Sequence, residues 1–494
     1  MEKQSSYKQI AKATSIFGGV QVFNILLSII RSKVVALLLG TSGVGLMGMF
    51  TATTSMIASL TNLGIGFSAV RTVSESAASN DGSLISRTIK TLRRWVVLTG
   101  LAGAAISIIL SKQLSNWTFG NSDYTWAFIW LSSTLFLQAL TSGQLALLQG
   151  MRKLKHLAKA NILGSFLGLC CSLPLYYWFQ ADGIVPALIV TAIISLVLSW
   201  HFTRKIPMEE TTVSYRESFS EGMEMVKLGS VVMITGFATA GVMYLIRMFI
   251  SRTGGLEQVG LYTAAWAILN GYVDMIFAAM GTDYFPRLSA VNRDNAQMKK
   301  LVNEQAEMGA LLLGPILILM LTTLPLIIRI LLTPEFLPVT ELIEWALIGI
   351  LFKSGSWSIA FTMLAKGDKK MYFLSETSSN IIVLSTTLLL YHFLKLEGIG
   401  IAFLVSYILY LLTVYTIAKI KYTFSFDNAF IKIFLVQLLL TVSSFIIINT
   451  LEAPYSYGSS SLLGLLSLAY SFTEIKKRLD VSSLFKNLKQ KLKR

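Results

Sequence analysis

The chain has 494 residues, of which 54% are hydrophobic and only 14% are charged. Soluble domains carry about 25% charged residues, so the composition excludes a soluble globular protein. A formal net charge of +16 would suit a nucleic-acid-binding protein, but the charges are distributed as in a membrane protein, and we expect no nucleic-acid partner. The two cysteines, Cys170 and Cys171, are adjacent in an apolar run, so they cannot link distant segments and do not indicate a metal site.

Long apolar runs follow one another from end to end of the chain. A transmembrane helix needs about 20 mostly apolar residues, and the sequence therefore predicts an all-α polytopic membrane protein with about 14 transmembrane helices. The start, Met1 to Lys12, is polar and basic and leads into a full-length span, which is not the pattern of a cleavable signal peptide. The predicted spans are 13–39, 46–70, 95–110, 125–149, 160–179, 184–202, 228–250, 260–282, 306–332, 340–365, 371–394, 399–418, 429–449 and 459–473.

Lys and Arg lie almost entirely on one side of these spans. With the N-terminus in the cytoplasm, 33 of the 42 Lys and Arg residues are cytoplasmic, three are in outer loops and six lie within spans. This asymmetry is the positive-inside rule, and an even number of spans places the C-terminus in the cytoplasm too. The tail Glu474–Arg494 carries eight Lys and Arg with spaced apolar residues. It is either a basic amphipathic helix on anionic inner-leaflet lipids or a solvated tail.

Two windows of the sequence recur at one constant spacing. Residues 44–46, Val-Gly-Leu, return at 259–261, and YYWFQADGIVPA at 176–187 aligns with YHFLKLEGIGIA at 391–402. Both copies begin on the cytoplasmic side, so we predict a parallel internal repeat. We call the number of residues from position 44 to position 259 the repeat spacing. The predicted domains are an N-lobe at 1–202, a cytoplasmic linker at 203–227, a C-lobe at 228–418, two appended helices at 419–473 and the basic tail at 474–494.

Six cations lie inside predicted spans, at Arg31, Lys33, Arg247, Arg329, Lys353 and Lys432. A charge at the middle of a membrane helix costs about 2.5–3.5 kcal/mol, so a deep cation indicates a function. Arg329 and Lys432 are near span ends, where long side chains reach the headgroups. The deeper cations, Lys33, Arg247 and Lys353, favour a transporter for a negatively charged substrate, and Arg31 is intermediate.

Polar residues at helical spacing accompany these cations. Such a stripe either lines a wet cavity or bonds to neighbouring helices. Asp274 is the acid that lies deep in a span, and it either pairs with one of the cations or carries a coupling proton. The stripes are Gln21, Asn24, Ser28 and Arg31 in span one; Thr51, Ser55, Ser59 and Asn62 in span two; and Asn270 with Asp274 in span eight.

Signatures of enzymes are missing from the sequence. There is no GxxxxGK[ST] nucleotide-binding loop, and His156, His201 and His392 lie at span ends or in loops. Neither paired carboxylates for acid–base work nor clustered metal ligands occur. We therefore predict that the protein is not an enzyme and uses neither a cofactor nor a metal.

The order of several short motifs resembles the Wzx-type O-antigen and polysaccharide flippases of the multidrug/oligosaccharidyl-lipid/polysaccharide exporter superfamily. The resemblance extends to about residue 420 and is closest to the enterobacterial common antigen lipid flippase branch. Its carriers are Lys33 with Gly-Thr-Ser-Gly-Val-Gly-Leu at 40–46, Phe-Gly-Asn-Ser-Asp-Tyr at 119–124, Leu-Gln-Gly-Met-Arg at 148–152, Arg247, Glu-Gln-Val-Gly-Leu at 257–261, Phe-Pro-Arg-Leu-Ser at 285–289, Pro-Glu-Phe at 334–336, Lys353 and Ala-Lys-Gly at 365–367.

The resemblance implies two lobes that open alternately to each side of the bacterial inner membrane. It implies an undecaprenyl-diphosphate-linked oligosaccharide as substrate, moved from the cytoplasmic to the periplasmic leaflet, with Lys33, Arg247 and Lys353 on the diphosphate. We assign Arg31, Asn24, Asn62 and Asn270 to the same substrate-binding set. Related sequences carry an acid in span eight where this chain has Asn270, which leaves proton coupling through Asp274 open.

Three alternatives remain at this stage. A lipid II flippase uses the same physics, and a multidrug or cation antiporter of the same superfamily would need buried acids rather than buried cations. A membrane glycan polymerase or ligase would need a larger outer loop than the chain has. Whether the protein works alone or beside a polymerase or assembly protein is also open.

Overall fold

The computed structural model describes residues 2–79, 81–206, 209 and 211–478. In this part of the chain the secondary structure is helical, without strands, and two short 3-10 turns lie at Gln180–Gly183 and Pro334–Phe336. The α-helices are α1 Glu2–Thr61, α2 Ile65–Ala78, α3 Gly82–Ile109, α4 Ser111–Phe119, α5 Thr125–Gly150, α6 Leu154–Phe179, α7 Ile184–Thr203, α8 Tyr215–Ala290, α9 Asn295–Leu331, α10 Val339–Ala365, α11 Lys369–Tyr422, α12 Asn428–Thr450 and α13 Tyr455–Arg478.

Every predicted span is helical over most of its length, which confirms the all-α polytopic fold. Within the described residues, nine helical stretches are long and apolar enough to cross a membrane, and four of these cover two predicted spans each, in whole or in part. The last predicted span is helical as α13 but is not among the nine. Span two was predicted as continuous, but the helix stops at Thr61 and restarts at Ile65. The cause is Gly64, whose left-handed backbone packs so closely on Gly229 that a Cβ would lie 2.2 Å from the Gly229 carbonyl oxygen.

The internal repeat is visible in the backbone conformation as well as in the sequence. Helices α3, α5 and α6 recur as α9, α10 and the first part of α11. Each helix of the second copy begins within two residues of the position that the repeat spacing predicts. The helix-breaking residues recur at the same spacing with similar dihedral angles, which confirms the repeat. These pairs are Gly40 (φ 62, ψ −169) with Gly255 (φ 80, ψ 177), Arg152 (φ 53) with Gly367 (φ 67), and Gln180 (φ 47, ψ −121) with Lys395 (φ 52, ψ −129).

The two Val-Gly-Leu motifs lie where α1 and α8 cross at close range. A Cβ on Gly45 would lie 1.9 Å from the Leu256 carbonyl oxygen, and a Cβ on Gly260 would lie 1.9 Å from the Thr41 carbonyl oxygen. Leu256 occupies in the second copy the position that Thr41 occupies in the first, so the two contacts are reciprocal. The motif recurs because both copies need a residue without a side chain where their backbones touch.

The chain divides into two compact units. The first unit is Met1–Ala264 with Ile330–Phe336, and the second is Ala265–Arg329 with Leu337–Arg494. The first has a core around Val73, Trp95 and Leu148, and the second has a core around Leu288, Met363 and Val414.

The predicted lobe boundaries remain a prediction, and helix α8 already begins at Tyr215, inside the segment assigned as linker. At the C-terminal end, α13 is held against α9 by Arg478, which pairs with Glu307 (2.6 Å) and Glu474 (2.6 Å). The rest of the predicted amphipathic tail, 479–494, lies outside the described residues.

Candidate functional site

Helices α1, α2, α5 and α7 line a cavity of about 510 Å³ in the first unit, which we call the polar cavity after the polar side chains on its wall. Arg31 lies on its wall and is the charged residue among its described lining. A smaller cavity of about 170 Å³ shares Arg31 and is continuous in its lining with the first. The uncharged polar residues that line one or both are Gln138, Thr141, Ser142, Gln149, Asn161, Ser165, Ser172, Thr191 and Ser195.

These polar residues reach one space because they recur every three or four positions on their helices. On α5 the stripe runs through Gln138, Ser142 and Gln149, and on α7 Thr191 and Ser195 are one turn apart. Several hydroxyls donate to their own helix, as Thr191 does to Ala187 (2.8 Å), so their oxygen lone pairs remain available to a ligand. This cavity was not predicted from the sequence, because the polar spacing considered there was that of spans one, two and eight and not that of spans four to six.

Arg31 is exposed to the cavity and interacts with the hydroxyl of Tyr176, which is itself fully buried. Asn62 lies beside the same space, since a Cβ on the lining residue Gly66 would be 3.4 Å from Asn62 Nδ2. Asn62 thus neighbours a residue of the cavity wall, but it is not among the described lining residues of either cavity. The side chain of Asn24 lies outside the described residues.

Lys33 does not line this cavity. Its ammonium group donates a hydrogen bond to the carbonyl of Leu332, directly after the end of α9. The last carbonyls of a helix lack partners within the helix and attract cations. Part of the reason for a cation at position 33 is therefore structural.

Arg247 lies elsewhere in the first unit, on α8. Its guanidinium is 5.2 Å from the centre of the Tyr262 ring, and Nη1 donates to the Met243 carbonyl at 3.4 Å. Its Nε is buried and has no hydrogen-bond partner among the described residues. A buried donor without a partner costs about 1–3 kcal/mol, so an anionic ligand that reached this group would relieve that cost.

The second unit holds Lys353, Asp274 and Asn270. Lys353 Nζ is 2.7 Å from Asp274 Oδ1 and lies over the rings of Phe277 (5.3 Å) and Tyr407 (5.8 Å). The side chain of Lys353 is 20% exposed and that of Asp274 is 45% exposed. Asn270, one turn from Asp274, is exposed. Asp274 was predicted either to pair with a cation or to carry a coupling proton, and in the structure it forms an ion pair with Lys353.

The two copies differ at equivalent positions. At four positions at or beside the cavity the first copy has a small or polar side chain, and the second copy has an aromatic side chain at the equivalent position. Phe277 and Trp357 pack at 5.4 Å, and Trp357 and Phe361 at 4.7 Å, between ring centres. The positions related by the repeat spacing are Gln138 and Lys353, Asn62 and Phe277, Ser142 and Trp357, Ala146 and Phe361, and Ser195 and Tyr410.

The described residues contain no group of three or more His, Cys, Asp or Glu side chains that could hold a metal ion. What the first unit offers instead is a cation beside neutral hydroxyl and amide groups. Such a set binds an anion together with a neutral, hydroxyl-rich group. It contains no nucleophile paired with a base.

The sequence and the fold are similar to those of known proteins. The sequence matches the model of the family described as polysaccharide biosynthesis protein over residues 34–341. It is 22% identical over 406 residues to the lipid III flippase of Escherichia coli (strain K12), and the alignment covers 81% of this chain and 96% of that protein.

Two solved structures have a similar fold. The lipid II flippase MurJ in an inward closed conformation superposes with a TM-score of 0.70 at 12% identity, covering 95% of this chain and 99% of that one. An inward-facing multidrug resistance MATE family transporter of the MOP superfamily superposes with a TM-score of 0.66 at 12% identity, covering 82% and 94%. The chain thus has the fold that these transporters share.

Proposed function

We propose a function that proceeds from one fact: the chain belongs to the polysaccharide biosynthesis protein family. One relative over most of the chain is a lipid III flippase, and a flippase is a transporter rather than a catalyst. We infer that this protein moves a lipid-linked oligosaccharide across a membrane.

One observation carries this proposal, which is the cavity of the first unit. Arg31 provides a positive charge for a diphosphate, and Gln138, Ser142 and Thr191 provide neutral partners for sugar hydroxyls. Arginine binds phosphate oxygens in a fork geometry that adds strength and specificity. A cation antiporter would need a carboxylate here, and neither cavity has one among its described lining residues.

The finer proposal is a Wzx-type flippase near the enterobacterial common antigen branch. Its substrate would be an undecaprenyl-diphosphate-linked repeat unit of O-antigen or a related surface glycan. Transport would run from the cytoplasmic to the periplasmic leaflet of the bacterial inner membrane by alternating access, with both termini in the cytoplasm. Arg247 and Lys353 would contact the diphosphate in addition to Arg31, and Lys33 would do so when it leaves the Leu332 carbonyl.

The alternative is a lipid II flippase, and the similarity in fold to MurJ over 95% of the chain favours it. Lipid II also joins a polyprenyl diphosphate to sugars, so the cation and hydroxyl set would suit it equally.

Complementation distinguishes the two. The chain would be expressed in three strains, which lack the flippase for O-antigen units, for enterobacterial common antigen units or for lipid II. We expect surface glycan to return in the first or second strain and viability not to return in the third. Rescue of the lipid II strain alone would replace the proposal with its alternative, and drug resistance without any rescue would overturn both.

A further inference from the structure

The first unit has a second depression, separate from the polar cavity, where α3 meets the start of α8. Its volume is about 470 Å³, and its lining combines two arginines, Arg93 and Arg94, with apolar and aromatic side chains. It shares no lining residue with the cavity of Arg31. The charge distribution of the sequence places this end of α3 on the cytoplasmic side.

Arg94 is tied to the chain that joins the two copies. Its Nη1 donates to the carbonyls of Val213 (3.0 Å) and Ser214 (3.1 Å) and to the hydroxyl of Ser218 (2.5 Å). The guanidinium also lies 4.3 Å from the centre of the Tyr215 ring. None of these partners is negatively charged, so the positive charge of Arg94 is held in place but not neutralised.

Arg93 has still fewer contacts. Its Nε is buried, and the side chain has no hydrogen-bond or ion-pair partner in the part of the chain that the structure describes. Arg87, six residues earlier on the same helix, shows the usual alternative, because it pairs with Glu221 (2.5 Å) and Glu217 (3.8 Å). Two adjacent arginines without a carboxylate make an anion site, since burial of a charged donor needs compensation.

Much of the remaining lining is apolar and exposed. Leu98 is 51% exposed, Leu101 is 54% exposed and Phe219 is 55% exposed. Since a helix rises 1.5 Å per residue, Leu101 lies roughly 10 Å further along α3 than Arg94. The depression therefore begins at two cations and continues as an apolar track along α3.

We propose that this depression binds an anionic phospholipid of the cytoplasmic leaflet. The phosphate lies against Arg93 and Arg94, and one acyl chain follows Leu98 and Leu101. Since Arg94 holds residues 213–218, the lipid steadies the joint between the two copies.

The occupant is a resident lipid rather than cargo, because the depression lacks the amide and hydroxyl set of the polar cavity. Its serine, Ser218, is already engaged by Arg94, and Trp95 Nε1 already donates to the Ser218 carbonyl (2.8 Å). A glycan would therefore find few partners here, whereas a phosphate and an acyl chain find both arginines and leucines.

Native mass spectrometry of the purified full chain tests this. The protein would be extracted from nanodiscs that contain equal amounts of phosphatidylglycerol and phosphatidylcholine. We expect wild type to retain phosphatidylglycerol preferentially and Arg93→Gln to retain about fivefold less, since one arginine near an anionic lipid contributes about 1 kcal/mol. The control is Arg293→Gln, which removes an equal charge at an exposed site without a partner among the described residues, and it should bind as wild type does.

Two further measurements separate an effect on folding from an effect on lipid binding. Arg93→Lys preserves the positive charge but not the forked donors of the guanidinium. The thermal unfolding temperature of every variant is measured in lipid-free detergent. We expect Arg93→Lys to retain more phosphatidylglycerol than Arg93→Gln and all variants to unfold at the wild-type temperature. Equal retention of both lipids by wild type, or equal losses in Arg93→Gln and Arg293→Gln, would overturn the site. Displacement of phosphatidylglycerol by one equivalent of undecaprenyl diphosphate would overturn the resident-lipid assignment. Because the measurement involves no transport, its failure leaves the proposed function untouched.

Discussion

Lys353 and Asp274 form an ion pair in the second unit, with Nζ and Oδ1 2.7 Å apart. The pair lies one helical turn from Phe277, over whose ring Lys353 also lies. Removing one partner of a buried pair leaves an uncompensated charge at a cost of about 3–5 kcal/mol, whereas removing both is often neutral. The 45% exposure of Asp274 puts this pair toward the lower end of that range.

Single and double variants of this pair therefore distinguish an effect on stability from an effect on transport. We expect Asp274→Asn and Lys353→Gln each to lower the thermal unfolding temperature, and the double variant to return close to wild type. Because we assign Lys353 to the diphosphate, the stable double variant should still be inactive in complementation. Recovery of both stability and transport in the double variant would limit the pair to a structural role.

Arg31 is the cation of the polar cavity and gives the second prediction. Arg31→Ala removes a charge-assisted contact with phosphate and should reduce transport about 10- to 100-fold. Arg31→Lys keeps the charge without the fork and should fall between Arg31→Ala and wild type. The rate of appearance of surface glycan, at matched expression, measures this.

Lys432 provides the matched control for Arg31. It is also a cation inside a predicted span, but it is exposed near the start of α12. Lys432→Ala should leave transport unchanged. If Lys432→Ala and Arg31→Ala lower transport equally, the effect comes from net charge and not from the cavity.

The close crossing of Gly45 and Gly260 gives the third prediction. Gly45→Ala would place a methyl group 1.9 Å from the Leu256 carbonyl oxygen, which belongs to backbone and cannot turn aside. We expect a loss of about 3 kcal/mol, seen as a lower unfolding temperature and less monodisperse protein. Gly236→Ala is the control, because nothing lies within 4 Å of its Cβ position, and it should be neutral or stabilising by about 0.5–1 kcal/mol. Equal stability of the two variants would contradict the crossing.

Much of the fold was readable because apolar length and the recurrence of short motifs are both properties of the sequence itself. Gly40 and Gly255 lie within or beside the recurring motifs, so the sequence indicated that the helices break near these residues. The break at Gly64 was not, because it depends on a backbone contact with Gly229, far away in the chain. In the same way, no pattern near Lys33 reveals that it reaches the Leu332 carbonyl.

The polar cavity was harder to predict for a chemical reason. A serine or threonine in a membrane helix can satisfy itself on its own backbone, as Thr141 does by donating to Leu137 (2.8 Å). Its presence at helical spacing therefore does not distinguish a cavity wall from an apolar helix surface. The contrast between copies is the more informative signal, since Ser142 corresponds to Trp357 and Asn62 to Phe277.

That contrast gives the last prediction. Ser142→Trp places in the first copy the side chain that Trp357 has at the equivalent position in the second copy. The cavity of about 510 Å³ leaves room for an indole, so we expect the variant to fold, with an unfolding temperature close to wild type, but to lose transport because the sugar-binding space is occupied. Ile193→Trp is the control, since it adds the same bulk at an exposed position of α7 that does not line the cavity, and it should transport normally. A fully active Ser142→Trp that folds and expresses like wild type would remove the cavity from the transport route, whereas inactivity of both variants would point to bulk in the bundle and not to the cavity.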